Sequence, residues 1–390
     1  MIKFTLSSQN LDEYLIEKNI CTPSELTNID IQQKKAKNFN LLVSFNTGRK
    51  LLVKQEPINR EGKTLGEFHR EWLIHNFCQK FSETAEIRNW ISEALYFDQE
   101  NSIIIFNYLQ NYRDVSTFYL DENKFPTEIA ASIGWALAAI HRRTFTNQTY
   151  QNFFAENSIE GVKNFNTDLC RDLERITPEV FGSIPDEGIR FFSLYQKFDS
   201  LGKAIAELRE AFLPCCLAHN DLKLNNILLA DNWQEITPEN ESIVRIIDWE
   251  RSSWGDPAFD LGTIVANYLQ IWLFSLVVSS SMAIEESLKL ATIPLEQLQP
   301  SIAALAVAYF SNFPEIVECR PHFLNRVIQF TGLNLIQSIQ AMIQHQKTFG
   351  NPGICMLQVA KSLICRPEES VSTVFSSAAV ELAEKSYSRV

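Results

Sequence analysis

No apolar run in this 390-residue chain is long enough to cross a bilayer. The most apolar stretch, residues 263–278, is interrupted by Asn267 and Gln270 and falls short of the ~20 residues a spanning helix needs, so it reads as a buried helix. No C-x-x-C pair occurs among the eight cysteines, and Cys215 and Cys216 are adjacent, poorly placed to bridge one another. That pattern argues against zinc. With no signal peptide in the opening MIKFTLSSQN, reduced thiols in a cytoplasmic protein are expected. No Lys/Arg-dominated tract offsets the net charge of -12, which argues against a nucleic-acid partner. Internal repeats and low-complexity tails are absent as well. The remainder, 45% hydrophobic and 21% charged, is ordinary for a globular protein, and its length suffices for two lobes with a large core.

Strand signals concentrate in the first 110 residues. NLLVSF (40–45), the turn NTGR and KLLVKQ (50–55) read as a hairpin with Gly48 in the tight turn. REWLIHNFCQKF (70–81) has helical spacing, and EALYFDQENSIIIFNYL (93–109) reads as two strands around a polar turn. NLDEYLIEKN (10–19) adds a helix at the start with an exposed acidic face. After residue 126 the pattern turns helical. PTEIAASIGWALAAIHRRT opens on a proline and a capping-box-like region from Thr127, further helices follow across 150–213, and 262–390 is helical with breaks at Pro294, Pro300, Pro314, Pro321, Pro352 and Pro367. The expected architecture is α+β and bilobal. Residues 1–109 form a small strand-rich lobe carrying the extra N-terminal helix, and 110–390 form a large, mainly helical one.

The chemistry concentrates in HNDLKLNN (219–226) and VRIIDWE (244–250). Asp221 and Asn226 bracket a polar loop, and Asp248 ends a β-branched run 22 residues after Asn226. With NILLA between them, two strands joined by a turn place Asp221, Asn226 and Asp248 at one end of a hairpin. Oxygen donors of this kind suit Mg²⁺, which takes one or two carboxylates plus phosphate oxygens and water. Lys54, late in the strand LLVK, and Glu71, early in the next helix, add a strand lysine held by a helix glutamate, the pair with which kinases orient the phosphates of ATP. Taken singly, each residue has a plainer reading. Lys54 could be a solvated strand-end charge, Glu71 half of a helical ion pair, HNDLKLNN an Asx-rich turn, Asp260 a helix cap and His141 a packing residue. The joint order is what argues for phosphoryl transfer.

In that order the chain resembles the aminoglycoside phosphotransferase and choline kinase family, relatives of the protein kinases. The resemblance rests on HNDLKLNN, IIDWE, GDPAFDLG (255–262) and LAAIHRR (137–143), and spans roughly residues 30–265. It implies a protein-kinase-like fold, with ATP and Mg²⁺ as cofactors. It assigns Asp221 to orient or deprotonate the acceptor hydroxyl, Asn226 and Asp248 to the metal, and Lys54 with Glu71 to the phosphates. His219 would brace the loop, Asp260 would anchor it by hydrogen bonds, and backbone groups at Asn107, Tyr108 and Leu109 would meet adenine. Two departures stand out. The loop before NLLVSF reads QQKKAKNF, without the glycines that cover phosphates in protein kinases, and Asn38 is assigned there instead. Lys223 stands where many antibiotic kinases carry histidine and where Ser/Thr protein kinases carry lysine; it is assigned to catalysis through the γ-phosphate.

The implied activity is transfer of a phosphoryl group to the hydroxyl of a small molecule: an amino alcohol, a metabolite or an antibiotic. Two alternatives are a kinase that phosphorylates Ser/Thr of a precursor peptide ahead of a partner lyase, and a catalytically silent binding module. The silent module is disfavoured by the presence of the base, the metal residues and the lysine together. No membrane partner is expected.

Overall fold

The computed structural model describes residues 4–60, 62–158, 173, 184–236, 242–277, 286 and 290–375. Parts of the helical stretches expected over 150–213 and 262–390 fall on 159–172, 174–183, 278–285, 287–289 and 376–390, outside the described residues. The chain divides into two compact units, both discontinuous in sequence.

The first unit comprises Met1–Asp114, Gln148–Val162 and Asn226–Ser252. Its main sheet has five strands: β1 (Asp30–Lys34), β2 (Phe39–Ser44), β3 (Lys50–Gln55), β4 (Ala94–Asp98) and β5 (Ile103–Asn107), in the order β1-β2-β3-β5-β4. The β2–β3 hairpin closes through Gly48 at φ +85°, a conformation that costs glycine nothing. Alternation along the strands sends Leu41, Val43, Leu51, Val53, Ile103 and Ile105 to one face, where they pack on Leu11, Tyr14 and Leu15 of α1 (Leu11–Glu17). The opposite face gives Ile104 and Phe106 to Phe68 and Trp72 of α2 (Glu67–Lys80). Because β5 is covered on both sides, its sequence is a continuous apolar run and not an alternation.

A second sheet in this unit has the order β6-β8-β9, with β6 (Tyr112–Asp114), β8 (Ile227–Ala230) and β9 (Val244–Ile246). The helix α5 (Gln148–Glu156) joins the same unit through an aromatic cluster in which Tyr150, Phe153 and Phe154 meet Phe77 of α2.

The second unit is Val115–Asn147, Lys163–Asn225 and Ser253–Val390. It contains α3 (Val115–Glu122), α4 (Thr127–Thr144), α6 (Asp186–Tyr195), α7 (Asp199–Glu210), α8 (Pro257–Phe274), α9 (Leu295–Asn312), α10 (Glu315–Cys319), α11 (Phe323–Gln346), α12 (Asn351–Cys365) and α13 (Pro367–Val374). A short ribbon of β7 (Cys216–Ala218) and β10 (Ser253–Gly255) completes it. The helix α4 packs on α9, α8 on α11, and α11 on α12. At the first crossing a Cβ on Gly134 would fall on the carbonyl oxygen of Leu305, so only glycine admits that approach.

Two helix readings are corrected. Thr127 does not cap α4; Pro126 is the N-cap, and the Thr127 hydroxyl donates to Glu128. Pro300 does not break the chain but lies inside α9, where the cost of one lost backbone bond is offset by the buried face formed by Leu298, Ile302 and Leu305. Among the described residues no helix is long and apolar enough to cross a membrane.

Candidate active site

In the first unit, β3 places Lys54 on the same face as Leu52, the face that also receives α2. The lysine is not a solvated strand end, since its side chain is only 11% exposed. Its Nζ donates to Asp248 Oδ1 at 2.6 Å. The expected partner, Glu71, is buried on α2, and its Oε2 has no hydrogen-bond partner. Its effect on Lys54 is electrostatic. Burial works against the lysine's charge, but the carboxylates of Glu71 and Asp248 outweigh it and hold Lys54 above its usual range. Burial pushes the Glu71 carboxyl up to about 7, with Asp248 and Glu250 adding and Lys54 opposing. One lysine is thus shared between two carboxylates, and it is hydrogen-bonded to the one the sequence assigns to metal.

The β8–β9 hairpin explains how two residues far apart in sequence come together. Ile227 pairs with Ile246, and the Ile247 N–H donates to the Asn226 carbonyl at 2.9 Å. Asn226 and Asp248 therefore flank the same end of one hairpin. Asp248 sits in the left-handed region at φ 61°, uncommon for a non-glycine residue, which ends the strand and turns the chain into a short 3₁₀ segment, Trp249–Arg251.

Lys54 and Glu71 line a cavity of ≈ 130 Å³ together with Leu52, Ser92, Phe106, Asn107, Tyr108, Leu109, Tyr112, Leu228 and Ile247. Five of the residues assigned from sequence, Lys54, Glu71, Asn107, Tyr108 and Leu109, share this wall. Asn38 does not. It lines a separate cavity of ≈ 720 Å³ with Lys35, Lys37, Gln55 and Glu56, and its Oδ1 is buried without a partner.

The second unit holds the other assigned residues on a loop fixed by its own backbone. The His219 N–H donates to Asp260 Oδ2 at 2.6 Å and the Asn220 N–H to Oδ1 at 2.8 Å. Asp260 is fully buried in the first turn of α8, whose N-cap is Asp256, so it anchors the loop and does not cap the helix. Behind it, His141 Nε2 lies 3.3 Å from Asp260 Oδ2, and His141 Nδ1 lies 2.9 Å from the Tyr309 hydroxyl. A carboxylate only accepts, so Nε2 carries the proton toward Asp260. The Asp221 N–H donates to His219 Nδ1 at 3.2 Å. Lys223 Nζ pairs with Asp221 Oδ1 at 2.7 Å, which brings the two assigned catalytic side chains together. Arg320 grips Asp256 with two bonds, 2.6 and 2.9 Å, and steadies the start of α8.

The family whose sequence profile matches residues 47–278, more than half of the chain, is the phosphotransferase enzyme family. The chain belongs to it. Among solved structures, the Plasmodium vivax ethanolamine kinase aligns at 16% identity and a TM-score of 0.55, covering 93% of this chain and 90% of that one. The choline/ethanolamine kinase family protein from Mesorhizobium loti aligns at 16% identity, a TM-score of 0.47 and coverages of 93% and 98%. The ADP-bound aminoglycoside phosphotransferase APH(2'')-Ib gives 13%, 0.45, 94% and 99%. No curated protein sequence matches the chain. The fold of this phosphotransferase family member is protein-kinase-like, with a strand-rich N-terminal sheet and a mostly helical C-terminal region.

Sequence reasoning missed several residues around both centres. In the first unit, Lys37 Nζ lies 2.6 Å from both oxygens of Glu67 and 3.3 Å from Glu250 Oε1. In the second, Tyr309 and Arg320 support the loop anchor. The basic KKAK turn and the second acid of DWE were visible signals; nothing in the sequence pointed to Tyr309 or Arg320.

Proposed function

We propose that this protein is an ATP- and Mg²⁺-dependent phosphotransferase that moves the γ-phosphoryl group to a hydroxyl of a small molecule, with an amino alcohol, another hydroxylated metabolite or an antibiotic as the acceptor class. The observation that carries the reading is Lys54, buried, bonded to Asp248 and beside Glu71, in the wall of a cavity rimmed by Asn107, Tyr108 and Leu109. Lys54 has three donor hydrogens and commits one to Asp248, leaving two for phosphate oxygens. The amides of Asn107 and Tyr108 already donate to the carbonyls of Glu93 and Lys50, so the Leu109 N–H is the donor this reading gives to adenine.

The donor set fits magnesium. Asn226 and Asp248 offer hard oxygens from one end of a hairpin, and one carboxylate with one amide matches an ion that keeps water and phosphate as its other ligands. Bound magnesium would neutralise charge on the transferring phosphate. Asp221 accepts the proton of the acceptor hydroxyl, and Lys223 holds that carboxylate in place. Asn38, with its unpartnered amide oxygen, belongs to the turn in front of the phosphates in this reading. A peptide acceptor with a lyase partner finds no support in the comparisons.

Calorimetric titration of ATP with and without Mg²⁺, followed by ADP release over a panel of hydroxylated acceptors, tests the proposal. Asp221→Asn should keep ATP affinity while transfer falls by about 10² to 10⁴. Failure of the wild-type protein to bind ATP with Mg²⁺ would overturn the reading. Near-wild-type transfer by Asp221→Asn would remove the base.

A further inference from the structure

The turn between β1 and β2 reads Lys35-Ala36-Lys37-Asn38 and contains no glycine. A glycine turn lets backbone amides close on phosphate; a turn with side chains at every position cannot approach as tightly and must offer side-chain donors. Lys37 is such a donor, and its placement is specific. Its side chain is half exposed at 51%, while its partners Glu67 and Glu250 are only 12% and 13% exposed. Burial works against the Lys37 charge, but the Glu67 hydrogen bond and the Glu250 carboxylate keep it raised. Glu250 follows Asp248 by two residues, and its carboxylate acts on both Lys54 and Glu71. The Lys37 ammonium therefore belongs to the same charge cluster as the cavity lysine, although β3 and the turn deliver the two from different strands. Next to it, Asn38 is 9% exposed with its Oδ1 unpartnered.

We infer that Lys37 is a further phosphate-binding lysine, which closes the glycine-free turn over the outer phosphates of a nucleoside triphosphate and rests on Glu67 and Glu250 when no nucleotide is bound. The inference depends on the nucleotide reading above and adds to it a residue, a motion and a selectivity. All three ammonium hydrogens of Lys37 have a carboxylate oxygen within reach, two on Glu67 at 2.6 Å and one on Glu250 at 3.3 Å. A phosphate oxygen must displace one of them, and the longer bond to Glu250 yields first. Glu67, at the start of α2, keeps the lysine tethered. Such a clasp adds affinity for a triphosphate and adds none for a nucleotide lacking the outer phosphates.

The test is calorimetric binding of ATP, ADP and AMP, each with Mg²⁺, to the full chain and to Lys37→Met, Lys37→Arg and Glu67→Gln. Lys37→Met should weaken ATP about tenfold, the loss of one charge-assisted contact, leave AMP unchanged and place ADP between them. Lys37→Arg should restore most of the ATP affinity, and Glu67→Gln should tighten ATP binding severalfold by freeing the lysine. Equal weakening of all three nucleotides, or no change in ATP affinity with Lys37→Met, would overturn the clasp while leaving the nucleotide site intact. Absence of ATP binding by the wild-type chain would instead overturn the function itself.

Discussion

Glu71 and His75 stand one turn apart on α2, and their surroundings push them in opposite directions. Burial drives the Glu71 carboxyl up to about 7. His75, packed against the Trp72 and Phe106 rings, is pushed down to about 4 by burial, with Arg88 adding. Between the ordinary carboxyl value of 4.5 and about 7, the folded protein thus keeps a proton on Glu71 that the unfolded chain has lost, so this residue makes stability fall as pH rises through that window. The unfolded chain gains a proton on His75 that the folded protein refuses, so stability also falls as pH drops from 6.5 toward about 4. Denaturant unfolding at several pH values should show Glu71→Gln losing the first slope and His75→Leu losing the second. Unchanged pH profiles would mean that neither group is as desolvated as its position indicates. The same residues show where the sequence stopped being legible. The sequence pairs Lys54 with Glu71 as a strand lysine held by a helix glutamate, but it could not say that the lysine's hydrogen bond would go to Asp248, because that depends on the β8–β9 register. The loop position of Asn38 is legible in the sequence, but the cavity it lines, separate from that of Lys54, depends on which way one turn folds.

At the scale of elements, periodicity was informative wherever one face of an element is buried. The β2–β3 hairpin, α2, β4 with β5, and α4 all lie where alternation or helical spacing put them. It failed where tertiary packing overrode a local signal, as at Pro300 within α9, and where an element joins a unit distant in sequence, as α5 does through Phe77. Close helix crossings are similarly invisible in sequence, and they make a sharp prediction. Gly134→Ala gains helix propensity, roughly 1 kcal/mol at most. It also drives a methyl group into the Leu305 backbone, where overpacking typically costs about 1–3 kcal/mol, so net destabilisation should win. Gly202 lies in α7 with nothing near its would-be methyl, and Gly202→Ala should instead stabilise by roughly 0.4–1 kcal/mol. Thermal unfolding of the two variants should move in opposite directions; a shared direction would mean that propensity alone governs both sites.

At the scale of the whole molecule, the motif HNDLKLNN is divided between the units: the second ends a segment at Asn225 and the first resumes at Asn226. Asp221 and Lys223 thus belong to the helical unit, which anchors their loop through Asp260, His141 and Tyr309, while Asn226 and Asp248 belong to the unit that carries Lys54. A sequence read in chain order suggests consecutive lobes and does not reveal that residues 226–252 return to the first unit. That return has a measurable consequence. If the first unit holds the nucleotide, Mg²⁺ and ATP should slow amide exchange together in three stretches far apart in sequence: β3, the β5 segment through Leu109, and the β8–β9 hairpin. Saturation at a hundredfold excess over Kd should also raise global stability by about 2.7 kcal/mol. Asp248→Ala should abolish the protection in all three stretches at once, because Asp248 joins the hairpin to Lys54. Protection confined to the hairpin would mean that a metal binds there without nucleotide. Protection in β3 and β5 that survives Asp248→Ala would mean that the cavity holds its ligand without the carboxylate, and the proposed coupling of lysine, acid and metal would be wrong.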